Sequence, residues 1–263
     1  MKKTIILVLV CSTLLTLASC NGTNASPVSN NELVSSPEPS NEPKSSSNEI
    51  LIQSQQEADD TNDDMPITID LDCDVGDIIK FGKYEWRVLD IQNKEILIIS
   101  DLILEYKAYN DEHCDITWEA CSLRKYLNGQ FIEDTFNRNE KKLVLEVNLV
   151  NDHNQWYGTI GGADTHDKVF CLSIEEVVRY FGDSGQLESR PKSEAHYISD
   201  QFNAARYTED EDGFCSVGWW LRSPGEKSFY ASVVYREGTI RLSGEYTSGT
   251  FVGVRPALWL HLG

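Results

Sequence analysis

The sequence predicts an α+β domain, mainly antiparallel sheet with several short helices, over residues 67–263. Short β-rich runs crowd both ends of that region, helical spacing with cap and stop signals fills its middle, and no internal repeat interrupts the order. Strands at both ends flanking central helices leave the terminal strands free to share one sheet.

Residues 77–81, 84–91 and 95–99 are β-rich and are separated by Gly82-Lys83 and Gln92-Asn93-Lys94, which predicts a three-strand meander. From residue 118 to 127 the apolar Trp118, Cys121, Leu123, Tyr126 and Leu127 fall at mostly helical spacing, with Asn128-Gly129 as a helix stop. A helical turn is expected around 131–136 and a strand over 142–149. Residues 167–172 read as a strand leading into Ser173, an N-cap with Glu176 as its capping-box partner, and the helix runs to Phe181 and stops at Gly182. A further helix fits within 193–206, where Ala195, Ile198, Phe202 and Ala205 share one side. The last quarter is strand-like at 219–222, 229–235, 239–242 and 252–260, with Arg236-Glu237-Gly238 as a hairpin turn.

Ahead of the domain, Lys2 and Lys3 precede an apolar run over 4–17, too short to span about 30 Å of hydrocarbon comfortably. The run ends in Leu17-Ala18-Ser19-Cys20, which resembles the bacterial lipobox. The resemblance implies that residues 1–19 are a lipoprotein signal peptide and that Cys20 is acylated. The chain is then expected to be held on the membrane by lipid at the outer face of the cytoplasmic membrane, at the cell surface. Residues 20–66 form the acylated Cys and a disordered tether: between Asn21 and Asp64 there is no Phe, Tyr or Trp, and Ser, Asn, Pro and acidic residues dominate. Such a coil reaches roughly 40 Å. Residues 67–263 are read as one globular domain.

After residue 64 the chain carries 20 Lys and Arg against 33 Asp and Glu, a net charge near −13. With no broad basic footprint, nucleic acid is not expected as a partner. Cys73, Cys114, Cys121, Cys171 and Cys215 remain beyond the signal and lipobox. No disulfide pairing follows from their spacing; Cys171, inside an apolar run, reads as a buried thiol, and Cys114 with Cys121 is the pair to test first.

Four blocks carry a second resemblance. Ser122-Leu123-Arg124-Lys125-Tyr126-Leu127-Asn128, the run from Gly161-Gly162-Ala163-Asp164 to Phe170, Gly218-Trp219-Trp220-Leu221-Arg222-Ser223-Pro224-Gly225 and Gly253-Val254-Arg255-Pro256-Ala257-Leu258-Trp259-Leu260 resemble the successive blocks of an uncharacterised bacterial domain-of-unknown-function family, from about Val75 to Leu260. The last two blocks are similar to the end of the C-type-lectin-like fold shared by sulfatase-modifying factors, so that fold is what the resemblance implies. Lectin-type Glu-Pro-Asn and Trp-Asn-Asp calcium signatures do not occur in the domain, and Cys215 stands without a nearby second cysteine.

No Gly-x-Ser-x-Gly elbow and no His-Glu-x-x-His helix is present, so no catalytic residues are assigned and no cofactor is implied. His113-Cys114 with Cys121 does not match zinc-ligand spacing, and no metal site is assigned. Asp164, Thr165 and Asp167 supply oxygens for either a structural turn or a calcium ion. Strand alternation puts Trp219 and Leu221 on one face and Trp220 and Arg222 on the other, one face being core. Arg222 and Arg255 read as structural, stacked on Trp and paired with carboxylates, with ligand binding as the alternative. The run 230–246 interleaves Tyr230, Tyr235, Arg241 and Tyr246 with small residues, either as an ordinary half-buried hairpin or as a recognition surface. Trp220, Arg222, Tyr230, Tyr235, Arg241 and Tyr246 are therefore the candidate ligand-binding residues. The expected function is non-enzymatic binding of an extracellular protein or glycan; an envelope-acting or protein-modifying enzyme and a structural envelope lipoprotein stay open.

Overall fold

Alternating apolar residues broken by residues that accept positive φ build the N-terminal meander. Gly82 (φ 60°) and Asn93 (φ 58°) turn the chain between β2 (Ile78–Phe81), β3 (Tyr84–Gln92) and β4 (Glu95–Ser100). The computed structural model describes residues 48–49, 72–192 and 196–262. The signal segment and Cys20 lie outside them, as does nearly all of the expected tether, of which only β1 (Asn48–Glu49) is described, parallel to β2. The chain divides into two units, Met1–Lys44 and Ser45–Gly263, and everything described belongs to the second.

The terminal strands do share a sheet. β13 (Ala257–His261) pairs antiparallel with β4 from Ala257↔Ile99 to His261↔Glu95, giving the order β1-β2-β3-β4-β13. A second sheet is ordered β5-β12-β9-β10-β11-β8, from β5 (Glu105–Tyr106), β8 (Tyr197–Ile198), β9 (Gly218–Pro224), β10 (Tyr230–Tyr235), β11 (Ile240–Tyr246) and β12 (Gly253–Val254). Between β12 and β13 the chain crosses from one sheet to the other through Arg255-Pro256. The turn before β11 depends on Gly238 (φ 77°), where any Cβ would collide with the Asn203 carbonyl.

Sequence periodicity misplaced one face. Both faces of β9 are buried, since it lies between β12 and β10 and is covered above and below. Trp86, Trp118, Trp219 and Trp220 are all fully buried, and each indole N–H has an acceptor: Phe81 O, Asp167 Oδ2, Arg206 O and Lys107 O respectively.

The middle departs from expectation for local reasons. The first helix is regular only in α1 (Ser122–Tyr126), N-capped by the Cys121 thiol. It does not stop at Asn128-Gly129 but continues as a π-helical turn, Leu127–Phe131, into α2 (Ile132–Thr135). There the Asn128 amide bridges elements, accepting from Lys168 and Val169 N–H and donating to the Arg124 and Val169 carbonyls. The strand expected over 142–149 begins late, at β6 (Val147–Leu149), because an Asn137/Glu140 capping box starts α3 (Arg138–Leu143). The strand expected over 167–172 reduces to β7 (Thr165–Asp167), paired with β6, and a single bridge from Phe170 to Ala257. The helix α4 (Ile174–Phe181) forms as expected, with the Ser173/Glu176 box and Gly182 at its end. The helix expected within 193–206 shortens to α5 (Asn203–Arg206), since β8 takes Tyr197 and Ile198 into the sheet edge; residues 193–195 lie outside the described ones. Among the described residues no helix is long and apolar enough to cross a membrane.

All five domain cysteines are free thiols. Cys114 is exposed while Cys121 is buried as a helix cap, so the Cys114–Cys121 disulfide is not formed. Cys171 is fully buried.

Candidate functional site

The six residues singled out from the sequence fall into three groups. Trp220 and Arg222 are 0% and 4% exposed, so neither belongs to a surface. Trp220 packs edge-on to Tyr109 at 5.6 Å. Arg222 is held by Glu176 in a two-point pair, with Nη2 donating to Oε1 at 2.8 Å and Nη1 to Oε2, and Nη1 also donates to Cys171 O. Both lie on β9, which runs between β12 and β10 and is buried along its whole length.

Tyr230 and Tyr246 come together as a cross-strand pair of β10 and β11, ring centroids 4.7 Å apart. Phe229 lies 4.8 Å from Tyr230 and stacks on Tyr246 at 6.2 Å with 16° between the planes. His113, from the loop before α1, adds a fourth ring 5.5 Å from both Phe229 and Tyr246. The cluster is open to solvent: Tyr246 is 48% exposed and His113 is exposed. A hydrogen bond with Tyr246, with burial second, pushes the Tyr230 phenol up to about 12. Polar groups rim the rings, with Ser228 donating to Asp115 and Ser248 Oγ 3.5 Å from His113 Nδ1.

Tyr235 and Arg241 form a separate group with Tyr197. The Arg241 guanidinium sits 5.7 Å from the Tyr197 ring and 5.9 Å from Tyr235, and its Nη1 is paired with Glu245. Both are half-buried.

Asp164, Thr165 and Asp167 are engaged by protein groups. Asp164 accepts from Asn151 N–H, Thr165 donates to Asp167, and the buried Asp167 carboxylate also takes Trp118 Nε1 and Arg124 Nε. The oxygens thus serve a turn joined to α1 by a partly buried ion pair.

A cavity of about 450 Å³ lies elsewhere, which sequence reasoning did not find. Its lining comes from β3, the segment after β4, the end of α4, residues 204–209 and Arg255. Apolar side chains, Leu89 and Phe181 among them, line it together with the polar Arg87, Asp101, Thr208 and Glu209. Arg87 Nη2 pairs with Asp101 Oδ1 at 2.8 Å.

Arg255 is 2% exposed and bonds only to main-chain oxygens, Nε to Ser100 O at 2.8 Å and Nη2 to Asp101 O at 3.3 Å. Its guanidinium lies over Trp219 at 5.1 Å and Phe181 at 5.5 Å. The expected stacking is present and the expected carboxylate pair is not. Burial pulls its pKa down to about 9, opposed by Asp101 and aided by Arg87, which leaves it cationic at neutral pH. The only sequence signal for this site was the Arg255-Pro256 step; the other lining residues are too far apart in the chain to form a motif.

A family model described as a domain of unknown function (DUF6273) matches residues 93–262. The chain belongs to that family. All four sequence blocks lie inside the DUF6273 match, whereas β2 and β3 precede it. No curated protein and no solved structure matches the chain.

Proposed function

We propose that this DUF6273 protein is a lipid-anchored, non-enzymatic binding protein at the outer face of the cytoplasmic membrane, whose domain engages an extracellular neutral glycan. The observation that carries the reading is the solvent-open cluster of Phe229, Tyr230, Tyr246 and His113. Rigid rings with polar edges give contact area at low entropic cost. The C–H face of a sugar packs on such rings while its hydroxyls reach the Tyr phenols, Asp115 and Ser248. A domain charge near −13 disfavours polyanionic glycans, which selects neutral ones. The similarity of the closing blocks to the C-type-lectin-like fold points the same way by analogy.

The full chain is tested for retention on neutral glycans, alongside Tyr246→Ala. Loss of a central contact is expected to weaken retention by about 2 kcal/mol, roughly thirty-fold, while the fold loses only the roughly 0.2–1 kcal/mol of a cross-strand aromatic pair, because Tyr246 is half-exposed. Absence of binding, or equal binding by the variant, rejects the glycan reading, and capture of a protease-sensitive partner replaces it with a protein one. In the same cells Cys20→Ala should release the chain from membranes; a wild-type chain that takes up no labelled fatty acid rejects the anchor.

A further inference from the structure

Large apolar side chains exposed singly are ordinary on a protein surface, but three of them here are gathered in one place. Val75 from the segment before β2, Leu102 from the segment after β4 and Tyr207 from the segment after α5 are all exposed, and all line the cavity of about 450 Å³. Exposed Ala204 and Ala205 add to this apolar rim, and the buried Leu89 and Phe181 line the same cavity. Its volume falls within the roughly 300–1,000 Å³ usual for ligand clefts. Apolar residues gathered on one exposed surface mark an interaction site.

Charge decides what kind of partner fits. Within the lining the charges balance: Arg87 and Arg255 stand against Asp101 and Glu209, and Asp101 holds Arg87 through both Nε and Nη2. The chain on either side is acidic. Residues 72–79, which bring Val75, carry Asp72, Asp74 and Asp77, and residues 207–212, which bring Tyr207, carry Glu209, Asp210, Glu211 and Asp212, with no Lys or Arg in either stretch. Three residues of chain reach at most about 11 Å, so these carboxylates lie about one Debye length or less from the lining residues they flank. Among the described residues Asp74, Glu211 and Asp212 are exposed and form no ion pair. Burial first, and then the charges of Asp77, Asp74 and Asp72, push the Cys73 thiol above its ordinary value, in keeping with a negative local field. A second copy of the domain, near −13, is repelled from such a rim. So are residues 21–64 of the chain itself, which carry nine acidic residues against Lys44.

We propose that this cleft docks a basic amphipathic peptide segment of a partner protein, whose large apolar side chains enter between Val75, Leu102 and Tyr207 while its Lys and Arg face the acidic runs on both sides. Groove docking of this kind draws affinity from the apolar anchors, and on-rate and choice of partner from the charges. The site shares no residue with the aromatic cluster and does not rest on the glycan reading.

The test is fluorescence anisotropy of the full chain with a labelled peptide of Leu and Lys at helical spacing, at physiological ionic strength, where loose attraction between exposed charges is screened. Two further peptides are controls, one with Ser for every Leu and one with Glu for every Lys. Saturable binding of the Leu/Lys peptide is expected, at least ten-fold tighter than that of either control. Val75→Ser combined with Leu102→Ser should weaken it at least ten-fold. Asp74→Asn, Glu211→Gln and Asp212→Asn combined should weaken it about five-fold or more. All five positions are exposed, which spares the fold. Equal binding of the Ser peptide, or binding that neither set of changes affects, would overturn the proposal and leave only diffuse attraction to an acidic surface. Absence of binding would overturn it too. A dimer in sedimentation that is lost with Val75→Ser would then give the cleft to a second copy, and peptide binding that appears only with Ile67→Ser and Ile69→Ser would give it to the chain's own apolar segment.

Discussion

Cys121 and Cys171 show how a residue's surroundings set its chemistry. Burial pushes the Cys121 thiol from 9.0 to about 12, and burial followed by the nearby Cys121 pushes Cys171 up further. Both are neutral thiols in the fold and therefore poor nucleophiles. In the unfolded chain they ionise near pH 9. Above that pH the unfolded state holds fewer protons than the native state, so stability is complete below pH 9 and is lost progressively as pH rises through about 12. Urea melts between pH 8 and 10.5 should show falling stability, and Cys171→Ala should flatten the slope while lowering stability at pH 8 by about 1–2 kcal/mol for the lost packing. An unchanged slope in the variant would show that other groups set the alkaline limit. That Cys171 is buried was legible in its apolar run; that Cys121 caps a helix was not, because sulfur is a weak acceptor and sequence rules rank it low for capping.

At the scale of the element, α4 depends on one carboxylate with two tasks. Glu176 Oε2 accepts the Ser173 N–H at 2.8 Å, closing the capping box, and both oxygens hold Arg222 on β9. Helix start and sheet interior are thereby coupled. Ser173→Ala removes only the cap and should cost about 1 kcal/mol. Glu176→Ala also strands a nearly buried guanidinium and should cost about 3 kcal/mol or more, part of it recovered when Arg222→Met is added. Equal costs for the two single variants in denaturant melts would show the ion pair to be energetically idle. The cap was legible because Ser173 and Glu176 are three residues apart, a local rule. The Asn137/Glu140 box is equally local, but it did not enter the sequence reading, which placed a strand over 142–149 instead. Arg222's partner was not legible, since it lies 46 residues away and only the fold brings it near.

The whole molecule is closed by its last strand. Strand character at both ends made a shared sheet legible, and β13 lying on β4 realises it. The cavity was not legible, because chain segments from residue 75 to 255 meet there without any common spacing. The same crossing from β12 to β13 that buries Arg255 makes the closure long-range, and such contacts form late because loop-closure entropy precedes their gain. Ala257, Leu258 and Leu260 are fully buried, and β4 beneath them contributes Ile96, Leu97, Ile98 and Ile99, all at most 1% exposed. Burying one leucine contributes about 1.5–3 kcal/mol. The two leucines alone therefore approach the roughly 5–15 kcal/mol that holds a typical domain together. Ending the chain after Pro256 should abolish cooperative thermal unfolding and expose the β4 edge to pairing with other strands. A synthetic peptide of residues 257–263 should then restore part of the transition by adding the missing strand. A truncated chain that still melts cooperatively near the wild-type temperature would mean that β13 only decorates a sheet already complete with β4, and that the site of Arg255 is built without it.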